Sequence, residues 1–341
     1  MTAQYDAALE SVGINLAQFS LLRNIEHAAP VSLTELGRRV ELDRSTVGRN
    51  VRVLQRMSLV AVAHGSDQRE ASVELTGQGR DLLRRATPLW LDVQRRIEAK
   101  LDAMAAAGFT QVMLKANDLV GHEGGVDAAV RAVKASGLRV TGFQVLRDFE
   151  GLSGHLHGYK VDIAKAMLEM AHAVGAPLLL ACSSTSQHAT QDLDAIARDL
   201  RKLAMLAVPL GIRIAYEGLS WGRTINEFTT AWEAVSRADA PNLGLGIDSF
   251  HAFATRTALD ELDLVDPAKI FLVQLADFMW QEIRSVEERI TTARHFRVFP
   301  GEGVHSAEVA DLVMRLDAMG YRGDYSFEVF NDDYQQVPMD L

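Results

Sequence analysis

The spacing of apolar residues changes character near residue 110. Ahead of it helical periods dominate; beyond it short apolar runs alternate with helical stretches. INLAQFSLLRNIEHA (14–28) has apolar residues at helical spacing and is stopped by Pro30. SLTELGRRV (32–40) opens on Ser32 with Glu35 three residues later, which predicts a capping box. After the short turn ELD, DRSTVGRNVRVLQRMS (43–58) predicts a second helix capped by Asp43, with Val47, Val51 and Leu54 on its buried stripe. LVAVAHGSDQREASVELT (59–76) alternates on both sides of a polar tip, the pattern of a β-hairpin. Residues 76–109 then keep a helical period through Leu82, Leu83, Leu89, Val93, Ile97 and Leu101, interrupted mainly by Pro88. No Gly/Ser-rich stretch intervenes, so a helix running from one domain into the next, with rigid coupling, is expected.

The remainder holds seven strand-like runs: 110–116, 139–145, 177–183, 213–219, 243–249, 270–277 and 324–330. Helical stretches lie between them, among others at 125–136, 161–174, 192–210 and 306–320, and Gly137, Gly175, Gly211 and Gly320 stand at helix exits. Nearly continuous apolar strands alternating with helices indicate a parallel sheet covered by helices, in the order of a TIM-type (β/α) barrel. The fold class is thus α/β, a barrel with an N-terminal winged helix-turn-helix domain. The expected division is 1–97 and 98–341. Seven runs are one short of eight. Residues 98–109 read as the first barrel helix with no strand ahead of it, and no closing-helix pattern follows the last run. The two resulting sheet edges would be met by closure with seven strands, by a helix wedge or by a partner subunit.

Charge separates the two parts. Residues 1–102 hold 14 basic and 13 acidic residues, whereas the rest holds 21 and 32, within a net charge of -10. An acidic body repels nucleic acid, so DNA binding would have to come from the front. There, the second helix carries Arg44, Ser45, Thr46, Arg49 and Asn50 near its N-terminal half, suited to base edges and phosphates of double-stranded DNA in a major groove, and Arg69 at the hairpin tip is suited to a minor groove. A solvated basic face in a protein-interaction domain is the plainer alternative. The single cysteine, Cys182, excludes an internal disulfide and fits a reducing, cytoplasmic setting. No signal pattern or membrane-length apolar run occurs, so no membrane partner is expected.

The chemistry gathers at strand ends. RIAYE ends at Glu217, LGLGID at Asp248, IFLVQ at Gln274 and YSFE at Glu328. Parallel strands bring such ends to one face, where four oxygen donors can surround one cation. Three carboxylates and an amide favour Mn²⁺, Mg²⁺ or Co²⁺ over a structural zinc site. Strand-capping residues paired with arginines are the structural alternative. His251, three residues past Asp248, is a candidate base or metal-site neighbour. RDFEG (147–151) places Arg147 where it would clamp an anion, HGYK (157–160) follows with His155 and His157 nearby, and HFRVFPGEG (295–303) offers His295 and Arg297 from a long loop.

Two resemblances add to this reading. LAQFSLLR, SLTELGRRVELDRSTVGRNVRVLQRMSLV and GSDQRE…VELTGQGRDLL resemble the MarR family of transcription regulators over about residues 5–100. That resemblance implies DNA binding and a homodimer built from the first and last helices, although the first helix here is short. AYEGLSWGR, GLGIDSFH, KIFLVQLAD, RHFRVFPGEG and YSFEVFND resemble the xylose isomerase-like sugar phosphate isomerase/epimerase superfamily, in particular its 3-dehydroshikimate dehydratase branch. QVMLKAND departs at Lys115 and Ala116 from the GVEIFEND text of that branch. The resemblance implies a divalent metal held by Glu217, Asp248, Gln274 and Glu328, and a small acidic or sugar-like substrate. It further implies a lyase or isomerase, foremost the dehydration of 3-dehydroshikimate to protocatechuate, with His251 as base and Arg147 or Arg297 on the substrate carboxylate. Competing readings are a regulator whose barrel senses a metabolite without turnover, an endonuclease IV-like enzyme, which would want a histidine-rich zinc cluster, and an artificial fusion of two incomplete halves.

Overall fold

The structure, a computed structural model, describes residues 8–40, 44–63, 72–122, 125–334 and 337, with all their side chains except those of 44–46 and 91–100. It divides into two compact units, Met1–Asp102 with Val120–Ala128, and Ala103–Leu119 with Ala129–Leu341.

In the first unit, α1 (Leu16–Ala28) begins at Asn15, which exchanges hydrogen bonds with Gln18 in a reciprocal cap and so satisfies two end groups of the helix. Ser32 caps α2 (Leu33–Arg39) by accepting the Glu35 N–H at 3.1 Å. Only that half of the expected capping box forms, because Arg38 and Arg39 take the Glu35 carboxylate at 2.8 and 3.0 Å. α3 (Arg44–Arg56) buries Val47, Val51 and Leu54, as its stripe predicts, while its expected cap Asp43 lies outside the described residues. The hairpin pairs β2 (Val60–Ala63) with β3 (Ser72–Leu75), Val62 opposite Val73. A two-residue strand, β1 (Val31–Ser32), joins β3 on its other side; so short a strand has no period to read. α4 (Gly77–Ala106) is one helix that contains Pro88.

In the second unit seven parallel strands form one sheet: β4 (Gln111–Lys115), β5 (Arg139–Arg147), β6 (Leu178–Cys182), β7 (Arg213–Glu217), β8 (Leu243–Asp248), β9 (Ile270–Leu275) and β10 (Tyr325–Phe327), paired in chain order. β6, β8 and β9 are buried along their whole length, as strands covered on both faces must be. The barrel is nearly closed. Among the described residues no ladder joins β10 to β4, and side chains span the gap instead: Arg139 binds Asp324 at 2.6 Å, and the Lys115 ammonium lies 4.2 Å from the Phe330 ring centre. The helices include α5 (Ala116–Val120), α6 (Val126–Ala135), α7 (Gly154–Ala173), α8 (Leu193–Ala207), α9 (Phe228–Ala238), α10 (Ser249–Thr255), α11 (Val286–His295) and α12 (Ser306–Ala318).

One loop expectation is corrected, and the helix expected over 161–174 begins earlier. HGYK belongs to the first turns of α7, where His157 faces Asp199 at 3.8 Å and Lys202 at 3.0 Å. The long loop after β9 is interrupted by α11, started by a Ser285–Glu288 capping box, and His295 is its last residue.

The interior of β8 explains LGLGID. A Cβ on Gly244 would stand 2.3 Å from the Lys269 carbonyl and 2.8 Å from the Phe271 ring. Gly244→Ala therefore forces β8 from β9 below Asp248. We expect a loss of about 1–3 kcal/mol in urea unfolding of the barrel, typical of overpacking.

Candidate metal centre

Side chains alternate across a strand, so Glu217 shares the face of Ala215, which packs in the barrel interior with Leu180, Cys182 and Leu272. Asp248 sits opposite Gln274, and Cys182 opposite Glu217, in neighbouring registers. Glu217 and Asp248 are each 3% exposed and Gln274 1%. Ligand-capable atoms of Glu217, Asp248 and His251 all lie within 4.8 Å of one another. Glu328 follows directly after β10, its backbone N–H bonded to the Leu275 carbonyl; it joins the group through Arg297, whose Nη1 reaches Asp248 Oδ2 at 2.6 Å and Glu328 Oε2 at 3.4 Å. Glu217 Oε1 and both amide atoms of Gln274 are buried without a hydrogen-bond partner. Unpaired buried polar atoms are costly. Their position beside the Glu217–Asp248–His251 group fits a divalent cation.

The electrostatics agree. Burial, then the neighbouring Asp248 and Glu328, push the Glu217 carboxyl well above its ordinary range. Burial likewise raises Glu328, against the pull of Arg297. Burial opposes the charge on Arg297, but Asp248 and Glu328 outweigh it and raise its pKa. His251 is held neutral, its pKa driven well down by burial and then by Arg297 and Arg147. Its Nε2 stands 3.7 Å from Asp248 Oδ2, and its Nδ1 is met by the Ser220 N–H at 3.2 Å and the Ser220 hydroxyl at 3.0 Å. The Cys182 thiol donates to Glu217 Oε2 at 2.9 Å. Asp248 starts α10, its Oδ1 accepting the Phe250 N–H, which turns Oδ2 to Arg297 and His251.

The family model described as xylose isomerase-like TIM barrel matches residues 101–340. The chain belongs to this family. A MarR family model matches residues 12–70, so a MarR-type segment stands ahead of the xylose isomerase-like barrel. A "3-dehydroshikimate dehydratase" of Pseudomonas aeruginosa is 38% identical over 239 residues, covering 70% of this chain and 37% of that protein. A solved "xylose isomerase-like TIM barrel/4-hydroxyphenylpyruvate dioxygenase fusion protein" is 35% identical with TM-score 0.65, covering 71% of this chain and 38% of that one. The chain thus spans well under half the length of these two relatives. A third solved protein, described as IOLI protein with a binding zinc atom, shares the fold at 21% identity and TM-score 0.60, covering 72% of this chain and 87% of that one.

Around the xylose isomerase-like centre the other expected residues separate. Arg147, at the end of β5, is exposed but acts electrostatically on His251 and Cys182. Arg297 is 3% exposed and already engaged by two carboxylates, and its Nε donates to the Ala293 carbonyl, so it is an internal counter-ion and not an open clamp. His295 pairs with Asp332 at 2.9 Å on the surface, apart from the Glu217–Asp248–His251 group. His155 stands in the first turn of α7, on the exposed side. In the MarR-type segment, α3 carries Arg49 exposed and Asn50 half-buried; the side chains of Arg44, Ser45 and Thr46, and Arg69 altogether, lie outside the described residues. Among the described residues no helix is long and apolar enough to cross a membrane.

Sequence reasoning missed Cys182, Ser220 and Glu150. Cys182 is the last residue of β6 and Ser220 follows directly after the run 213–219, positions where only register reveals direction. Glu150 is 2% exposed and accepts from the Ser184 N–H and, at 3.0 Å, from the Tyr216 hydroxyl. Burial lifts it to about 7 in spite of these donors. A carboxyl raised on folding contributes stability below its ordinary pKa of 4.5, and that contribution is lost as pH rises through about 7. Urea unfolding of Glu150→Gln is therefore expected to vary less than the natural protein between pH 4.5 and 8, by up to about 3 kcal/mol.

Proposed function

We propose that the barrel is a divalent-metal-dependent lyase that dehydrates 3-dehydroshikimate to protocatechuate, and that the MarR-type segment binds double-stranded DNA as part of a homodimer. We place the functional boundary at residue 97, with 1–97 for DNA and 98–341 for chemistry. The observation that carries the reading is the buried group Glu217, Asp248 and His251, with the unpaired Glu217 Oε1 and Gln274 amide beside it. The dehydratase activity in the name of the 38% identical relative supports the choice of reaction.

Glu217, Asp248, Gln274 and Glu328 would hold Mn²⁺, Mg²⁺ or Co²⁺. When bound, such an ion supplies Lewis acidity toward the ring carbonyl. His251 handles the proton. The Ser220 backbone N–H donates to Nδ1, and the Ser220 hydroxyl lies beside the same atom. Once the ring shifts an Nδ1–H onto that hydroxyl and off the backbone N–H, Nε2 takes the proton alpha to the carbonyl. The resulting imidazolium returns it to the departing hydroxyl group, which leaves as water. Arg147 holds the substrate carboxylate at the rim, and Arg297 keeps Asp248 and Glu328 in place.

The test is absorbance of protocatechuate formed from 3-dehydroshikimate by the full chain with Mn²⁺. Chelation and Glu217→Gln are each expected to abolish product, while His251→Ala lowers kcat by about 100-fold or more with metal still bound. No product with any of the three metals would refute the lyase and favour a barrel that senses its ligand without turnover. For the front segment, Arg49→Ala is expected to weaken a gel shift on the DNA upstream of its own reading frame, and an unchanged shift would refute the groove assignment.

A further inference from the structure

Lys115 ends β4, the strand at the open edge of the sheet, and its side chain is directed toward the barrel mouth against residues that follow β10. Its ammonium rests 4.2 Å from the centre of the Phe330 ring. Among the described residues it makes no hydrogen bond, and no carboxylate comes within 4.0 Å of it. The two acidic groups that act on it are otherwise engaged. Asp118 Oδ2 accepts the Lys115 backbone N–H at 2.7 Å, and Glu328 is bound by Arg297. Burial and the guanidinium groups of Arg147 and Arg297 lower its pKa, the sign of a cation short of negative charge. The Arg147 guanidinium likewise has no hydrogen bond or ion pair among the described residues. A desolvated ammonium with only a ring beside it is a costly arrangement that an anion would relieve.

We propose that Lys115 is a specificity-determining residue of the barrel, binding the carboxylate of the substrate at the mouth together with Arg147. The assignment rests on the lyase reading for the identity of the ligand. Phe330 fixes the ammonium by its ring face while leaving the three N–H donors free. An arginine in its place keeps the charge, and a methionine keeps the stem but not the charge.

Isothermal titration of the full, Mn²⁺-loaded chain separates the possibilities, with protocatechuate and with catechol, the same ring without the carboxylate. Lys115→Met is expected to weaken protocatechuate by about 10- to 100-fold, the scale of one charged hydrogen bond, and to leave catechol unchanged. Lys115→Arg restores most of the loss. Equal affinities for protocatechuate in Lys115→Met and the natural chain would overturn the role of Lys115 and leave the lyase reading standing, and so would an equal loss for both ligands, which marks a brace across the sheet seam. Failure of the natural chain to bind either ligand would overturn the lyase reading and this assignment with it.

Discussion

Two carboxylates buried side by side at the ends of adjacent parallel strands are the constraint on which the rest of this barrel depends. Glu217 and Asp248 are almost wholly removed from water and within coordinating distance of each other and of a neutral histidine. Removing such groups from water costs several kcal/mol each unless positive charge compensates. Arg297 compensates part of it, stacked 4.5 Å from the Phe250 ring centre and bonded to Asp248 and Glu328. One guanidinium among three acidic groups leaves Glu217 without a cationic partner, a balance that a divalent ion would complete. The surrounding structure serves the same end. Gly244 and Gly246 let β8 lie close to its neighbours, Cys182 holds one oxygen of Glu217, and the start of α10 orients Asp248.

The seam of the barrel is the second determinant. With seven strands, β4 and β10 remain edges, and charged side chains connect across them in place of a backbone ladder. That arrangement exposes the C-terminal end of β4 to the mouth. Lys115, at the end of this edge strand, is the residue through which the seam would meet a ligand. Fold irregularity and ligand preference are thus linked through one residue.

The architecture was largely legible in the sequence. Continuous apolar runs on β6 to β9 announce strands covered on both sides, and their polar last residues mark one common face because parallel strands end together. The α3 stripe of Val47, Val51 and Leu54 was equally plain. What escaped reading depends on direction or on competition. Arg297 looked like an open anion clamp, yet it lies buried between carboxylates that no local pattern ties to it. The helix expected over 161–174 begins at Gly154, because the polar residues of HGYK hide the first turns of α7. Glu35 was expected to complete a capping box, but two arginines one turn later outbid the backbone for its carboxylate. Glu150, Ser220 and Cys182 become meaningful only when register places them against Tyr216, His251 and Glu217.

Manganese binding followed by electron paramagnetic resonance tests the central claim most directly, because it reads the ion itself without relying on turnover. The account predicts one tightly bound Mn²⁺ per chain, lost in Glu217→Gln with the circular dichroism of the protein unchanged. A full complement of bound Mn²⁺ in that variant, or none in the natural chain, would contradict it.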